Sequence, residues 1–353
     1  MRRGLMGWSE ADLPVAVLRK RLSRLQEGFA KEGLGGLVLY TNLARPAAVS
    51  FLTGFTPYWS EGLLLVPASG EPVFATALSK RVSAWIRSVM PIGSIENTPQ
   101  PAAAIGHKLA AANIDRVGVV ELDLFPAAQA ALLMGNDGAV VLNDATALFR
   151  SVRIRVDATE ISLVRRADDL ARHCLETFHR GDDARQMAAD IEARARLAGA
   201  EEVLVGVNPD LGRSNAFLRS DRLDGLGEHF AIRLSLSLQG SWVRRTITLS
   251  LISEAQAMFA AADAAFERAL ASASQAAALQ MLQNGFPGKI TAWTVEACVG
   301  SYPLEVVRRS GGTQAFPGNA FSGHLPVSVI SAQADLNGVT WLGAGPVIGE
   351  ARP

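Results

Sequence analysis

The feature that most constrains the fold is a change of pattern near Arg150. Before it, short apolar runs alternate with helical spacings. A helix is predicted over 13–33, closed by Gly33 and Gly35, and GLVLY at 36–40 reads as a buried strand. GLLLVP (62–67) and EPVFAT (71–76) flank the turn residues Ser69 and Gly70, which predicts a hairpin. Helical patterns at 78–89, 101–113 and 125–134 are interleaved with strand patterns at 116–120 and 139–144. Strands alternating with helices predict an α/β domain with a mixed sheet over residues 1–150.

Beyond Arg150 the elements lengthen. A helix is expected from Asp157 to about His179, with Asp157 as N-cap and Glu160 three residues on as its capping-box partner. A second is expected over 183–198. Long strands follow at 231–238 and 242–251 around Gln239-Gly240, then an Ala-rich helix over 254–283 and strands at 326–331 and 338–342. Residues 151–353 therefore read as an α+β domain, an antiparallel sheet backed by long helices.

Composition narrows the partners. Lys plus Arg and Asp plus Glu each number 34, so the formal net charge is zero. Nucleic acid as main partner needs a cationic excess that is absent. With 49% apolar and 19% charged residues, the chain is core-forming rather than disordered. Two cysteines, Cys174 and Cys298, make no disulfide framework and point to a reducing compartment. No apolar run reaches the ~18 residues of a membrane helix, and the start, MRRGLMGWSEADLP, lacks an apolar core of signal-peptide length. A cytoplasmic protein with no membrane and no nucleic-acid partner is expected.

Four stretches together resemble the creatinase and aminopeptidase P (Xaa-Pro peptidase) family, the pita-bread fold. TNLARPAAVSFLTGF (41–55) is similar to an N-domain stretch in which an Asn precedes a "YLTGF" strand. RIRVDATEISLVRRADDLA (153–171) resembles the linker and first catalytic-domain helix. LQNGFPG (282–288) resembles the "lkpG" end of the long helix, and FPGNAFSGHLP (316–326) resembles "pGmvfsiEP". Their order and spacing cover nearly the whole chain. The resemblance implies a creatinase-type N-terminal domain followed by a pita-bread peptidase-like domain, and a homodimer.

The departures bear on chemistry. Metal-dependent members of that family hold two cations with two Asp, one His and two Glu, because hard divalent ions want convergent carboxylates. The two Asp sit about eleven residues apart on a hairpin. Here the 25 positions 229–253 contain no Asp or Glu, and Arg233 and Arg244 are eleven apart. Another register puts Ala231 and Trp242 at those places. No His lies between His229 and His324. Aligning Pro317-Gly318 puts His324 at the first Glu, and aligning Gly338 puts Leu342 near the second. No metal and no other cofactor is expected.

Strand alternation places Arg233, Ser235 and Ser237 on one face of the first hairpin strand. On its partner, Trp242, Arg244, Thr246, Thr248 and Ser250 share a face, and Arg245 lies on the other with Val243, Ile247, Leu249 and Leu251. Two roles are open to Arg233 and Arg244. With Ser235, Ser237 and Thr246 they could line a cationic, hydroxyl-rich site, since arginine forks suit a carboxylate or phosphate. Alternatively they pair with acids such as Glu228, Glu296 or Glu305 and hold the sheet. Arg245 is assigned to structure.

His324 is the candidate for proton transfer, its ordinary pKa lying near neutrality; a histidine satisfied by loop backbone is the competing role. His229, His107, His173 and His179 are assigned to loop or helix surface, and Cys298 is a weaker candidate nucleophile. No Gly-x-Ser-x-Gly motif or phosphate loop occurs. The resemblance also brings Arg45, Tyr58 and Trp59, on loops beside FLTGF, forward as caps for a small substrate, with loop anchoring as the other option. Creatinase implies that this fold supports metal-free chemistry on a small C–N substrate, with a histidine as acid/base and arginines for the carboxylate. Its histidine in the loop before the hairpin has no counterpart, because NPDLGRSNAFLRSD (208–221) offers Ser214 and Asn215 instead. Two functions follow as expectations: a metal-independent hydrolase-like enzyme acting on a small, anionic, amino-acid-like or peptide-like substrate, or a catalytically silent relative that binds a small acid, peptide or protein.

Overall fold

The computed structural model describes residues 7–57, 60–135, 138–179, 181, 183–219, 222–223, 225–310 and 325–351. The chain forms two compact units, one reaching Arg155 and taking in Cys298–Pro303, the other comprising Val156–Ala297 and the chain from Leu304 onward. Among the described residues no helix is long and apolar enough to cross a membrane.

The first unit runs α1 (Val15–Glu32), β1 (Gly36–Thr41), α2 (Ala47–Thr53), β2 (Gly62–Pro67), β3 (Val73–Thr76), α3 (Ser83–Val89), β4 (Ser94–Asn97), α4 (Pro101–Ala111), β5 (Arg116–Val119), α5 (Ala127–Met134), β6 (Val141–Asp144) and α6 (Thr146–Arg153). The sheet order is β4-β3-β2-β1-β5-β6. β2 is antiparallel to β1 and β3, while β1–β5, β3–β4 and β5–β6 are parallel. The expected mixed sheet is present. β1 explains its own sequence. Leu37 and Leu39 join a core with Phe29, Phe55 and Phe149, while Val38 and Tyr40 join another with Ile105, Leu109 and Val117. A strand buried on both faces reads as an unbroken apolar run.

The FLTGF stretch corrects the expectation of a strand. Residues 47–53 form the helix α2, every one of them buried, and Gly54 stops it with φ 73°. A short continuous apolar run does not distinguish strand from buried helix by periodicity. Here the flanking Pro46 and the left-handed Gly54 decide it.

The second unit contains α7 (Ala158–Thr177), α8 (Ala184–Leu197), β7 (Glu202–Asn208), β8 (His229–Leu238), β9 (Ser241–Ser250), α9 (Ser253–Leu270), α10 (Gln275–Gly285), β10 (Lys289–Ala297), β11 (Glu305–Arg309), β12 (Val327–Leu336) and β13 (Val339–Ile348). Its sheet, β11-β10-β12-β13-β9-β8-β7, is antiparallel at every pairing. Asp157 caps α7 as the sequence indicates, its Oδ1 accepting from the Glu160 N–H at 2.8 Å. The Ala-rich helix is two helices, not one. Ser274 interrupts the run by capping α10, its hydroxyl accepting from the Ala277 N–H at 3.2 Å.

The β8–β9 hairpin turns at Gln239 (φ 49°) and Gly240 (φ 75°). Two left-handed residues make the turn that matches strand twist, which is why a glycine stands there. Leu234, Leu236 and Val243 join Val164 of α7 and Ile191 of α8 in one core. The opposite face of the hairpin therefore points away from these helices, and it carries the polar residues.

Candidate functional site

The register of the hairpin sets Arg233 opposite Thr246, Ser235 opposite Arg244, and Ser237 opposite Trp242. Directly opposed residues share a face, so the two polar sets meet on one surface. Thr246 is in turn opposite Ala344, Ala344 opposite Ser331, and Arg233 opposite Gly206. A single row thus crosses β7, β8, β9, β13 and β12.

Arg244 is engaged. Its Nε donates to Ser235 Oγ at 3.1 Å and its Nη1 to Glu296 Oε2 on β10. β9 and β10 are separated in the sheet by β13 and β12. Ladder spacing puts the two strands roughly 14 Å apart, so the two long side chains reach toward each other across β13 and β12. The pair is largely enclosed, with side-chain exposures of 19% and 8%.

Arg233 is different. Its Nε lies 3.4 Å from Thr246 Oγ1, a long contact, and its guanidinium stacks 3.8 Å from the centre of the Phe217 ring. No carboxylate of the described residues lies within ion-pair distance of it. Burial pulls its pKa down to about 10, the Arg244 charge adds to the fall, and Glu296 opposes it. Among the described residues this partly enclosed cation has an aromatic ring and a hydroxyl for company, but no counter-ion. Such a group calls for an anion.

Sequence reasoning missed Phe217. It sits over Gly206, where a Cβ would come within 3.2 Å of the Phe217 Cβ, so β7 has no side chain to spare at that place. The available signal was Phe217 as the single aromatic residue of 208–221, the stretch that precedes the arginine strand.

On the helix face Arg245 is saturated within a cluster that also holds Arg172, whose Nε donates to Asp168 Oδ2 at 3.2 Å. Arg245 Nε and Nη2 reach Asp168 Oδ1 and Oδ2 at 2.6 and 2.8 Å, and its Nη1 reaches Glu267. Only 4% of its side chain is exposed. Ser237 lies on the polar face by register, but its hydroxyl donates to Glu201 Oε2 at 3.3 Å. The Glu201 carboxylate also receives the N–H groups of Gln239 at 2.6 Å and Gly240 at 3.5 Å. Burial nevertheless lifts its pKa to about 7. Ser237 therefore serves the hairpin turn.

In the first unit, Arg45 is 5% exposed rather than presented on an open loop. Its Nη2 donates to Glu121 at 2.7 Å and its Nη1 to the Leu124 carbonyl at 2.8 Å, between the rings of Tyr40 and Tyr302. Its charge is committed to holding that unit. His229 Nδ1 is 2.9 Å from Ser250 Oγ, and its ring meets Phe259 edge-on. His324, Tyr58 and Trp59 lie outside the described residues.

The two cations that the resemblance implies do not fit these side chains. The face offers guanidinium and hydroxyl groups where carboxylates are needed, and Glu296 is already bound to Arg244. Among the described residues no three His, Cys, Asp or Glu side chains converge as metal ligands.

Comparison with known proteins agrees with this architecture. Residues 21–155 match the Creatinase/Prolidase N-terminal domain. The X-Pro aminopeptidase from Thermotoga maritima is similar over 94% of this chain and 98% of its own, with a TM-score of 0.66 and 15% identity. The Xaa-Pro dipeptidase from Bacillus anthracis is similar over 95% of both chains, with a TM-score of 0.64 and 14% identity. The prolidase from Pyrococcus horikoshii OT3 is similar over 94% and 96%, with a TM-score of 0.64 and 14% identity. No curated protein matches. The chain thus carries a creatinase/prolidase-type N-terminal domain and, over its length, the prolidase-type pita-bread fold.

Proposed function

We propose that this protein binds a small carboxylate-bearing, amino-acid-like or peptide-like molecule on the arginine hairpin, without a metal. The observation that supports this is Arg233: a partly enclosed guanidinium with no ion-pair partner among the described residues, at the place where the resemblance would put a metal-binding aspartate. Replacing acids by guanidinium groups reverses the local charge, so the same surface that would hold cations holds an anion. Arg244 and Glu296 neutralise each other beside it. The test is a thermal-shift screen of small carboxylates with chelator present. Ligands that bind the native state raise the unfolding midpoint by mass action. A carboxylate that stabilises the wild type but not Arg233→Met supports the reading; stabilisation only after adding Mn²⁺ or Zn²⁺ defeats it.

A second reading, a metal-independent hydrolase, is favoured by the likeness to peptidases over at least 94% of the chain. In it Arg233 holds the substrate carboxylate and His324 transfers the proton. His324→Ala would then abolish turnover and leave carboxylate binding intact. If wild type and variant both bind and neither hydrolyses any C–N substrate, the protein is a binding relative. A homodimer, proposed from the resemblance, is tested by light scattering.

A further inference from the structure

The face that carries Arg233 holds two guanidinium groups, and the fold closes one of them. Thr246 is opposite Arg233, and Arg244 stands two residues from Thr246 on β9. The two arginines are therefore diagonal neighbours, roughly 7–8 Å apart. Each fork on its own suits a carboxylate. Left open together, they would be bridged by a short dicarboxylate.

Glu296 stands in the way. Two residues beyond the Ala344–Thr246 pair, the antiparallel register brings Arg244 level with Pro346. Pro346 is opposite Val329, and Val329 is opposite Glu296. Arg244 and Glu296 thus share one row across the sheet. Between them lie a buried proline and a buried valine, neither with a hydrogen-bonding side chain. The ion pair spans this apolar stretch, where a charge-assisted hydrogen bond is stronger than in water. Glu296 is 6% exposed. With Nη1 on Glu296 and Nε on Ser235, Arg244 is held from both sides by the protein. The hairpin has no acid of its own for this purpose, since 229–253 contains none. Two guanidinium groups and one carboxylate leave a single positive charge on this part of the face.

Resting on the reading of Arg233 as a carboxylate site, we infer that Glu296 is a specificity-determining residue, its carboxylate taking the place on Arg244 that a second ligand carboxylate would take. The site accepts one carboxylate, on Arg233. A short dicarboxylate gains nothing from its second charge, which meets Glu296 in place of an open arginine. Such like-charge juxtaposition is how sites reject near-isosteres.

Succinate and succinamate test this, because they differ by a carboxylate against an amide of the same shape. In calorimetric titrations of the full chain, succinate should bind wild type no more than about twofold more tightly than succinamate, the statistical advantage of two equivalent ends. Glu296→Gln keeps the size and an acceptor oxygen for Arg244 but removes the charge. In this variant succinate should bind at least about tenfold more tightly than succinamate. The gain should vanish in Glu296→Gln/Arg244→Met. A tenfold preference for succinate already in wild type overturns the inference whether or not the variants fold. So does an unchanged ratio in folded Glu296→Gln, or a gain that persists without Arg244. In each of these cases the carboxylate site survives if Arg233→Met abolishes succinamate binding. Undiminished succinamate binding in a folded Arg233→Met, or no binding of either ligand in the millimolar range, overturns both the site and the inference.

Discussion

Arg233 and Arg245 stand on opposite faces of one hairpin and meet opposite fates. Arg245 faces the helices, where Asp168 of α7 takes two of its nitrogens and Glu267 of α9 a third. Arg233 faces away from them and has the Phe217 ring and a distant hydroxyl. The residue type is the same and the strands are neighbours. What differs is whether the described residues supply a carboxylate. Where they do, the arginine is architecture; where they do not, the arginine is available to a ligand.

The comparison breaks most visibly at Arg245. Arg245→Met leaves buried Asp168 with only the more exposed Arg172, at 3.2 Å, and should cost about 3 kcal/mol in urea unfolding, with carboxylate affinity unchanged in whatever remains folded. A loss near zero would mean that the helix-face pair contributes nothing and that the contrast is illusory.

A somewhat smaller effect tests the turn that joins the two strands. Burial lifts Glu201 to about 7 from its ordinary 4.5. A raised acid favours the protonated form in the fold. Its contribution is whole below about 4.5 and is lost as the pH rises through about 7. Glu201→Gln stays neutral, so wild type should lose about 2–3 kcal/mol relative to the variant between pH 4 and pH 8. Parallel stability curves for the two proteins would show that the carboxylate is not desolvated.

Arg233→Met should do the reverse of Arg245→Met. It removes a cation that has no counter-ion among the described residues and strands no described acid, so stability should change by less than about 1 kcal/mol or rise slightly. Carboxylate binding should be lost. A destabilisation as large as that at Arg245 would make Arg233 structural. The smallest effect is expected at Thr246→Val. Its 3.4 Å contact to Arg233 is long, and the affinity for acetate should fall by less than about threefold.

Much of this was legible from the sequence because it rests on local rules. Strand alternation put Arg233, Ser235, Arg244 and Thr246 on one face and Arg245 on the other, and the hairpin register agrees. Asp157 announced the start of α7. Information carried by distant residues was not legible. Nothing near Arg244 marks Glu296, 52 residues on, as its partner, and nothing near Arg245 marks Asp168, 77 residues back. Ser237 had the right face, yet Glu201 takes its hydroxyl. Residues 47–53 failed as a strand because a short apolar run has no period to read.

The most direct test of the central claim is a calorimetric titration of acetate into chelator-treated protein, repeated after adding Mn²⁺. The account predicts the same affinity in both and its loss in Arg233→Met. Binding that appears only with the metal, or that persists undiminished in Arg233→Met, would contradict it.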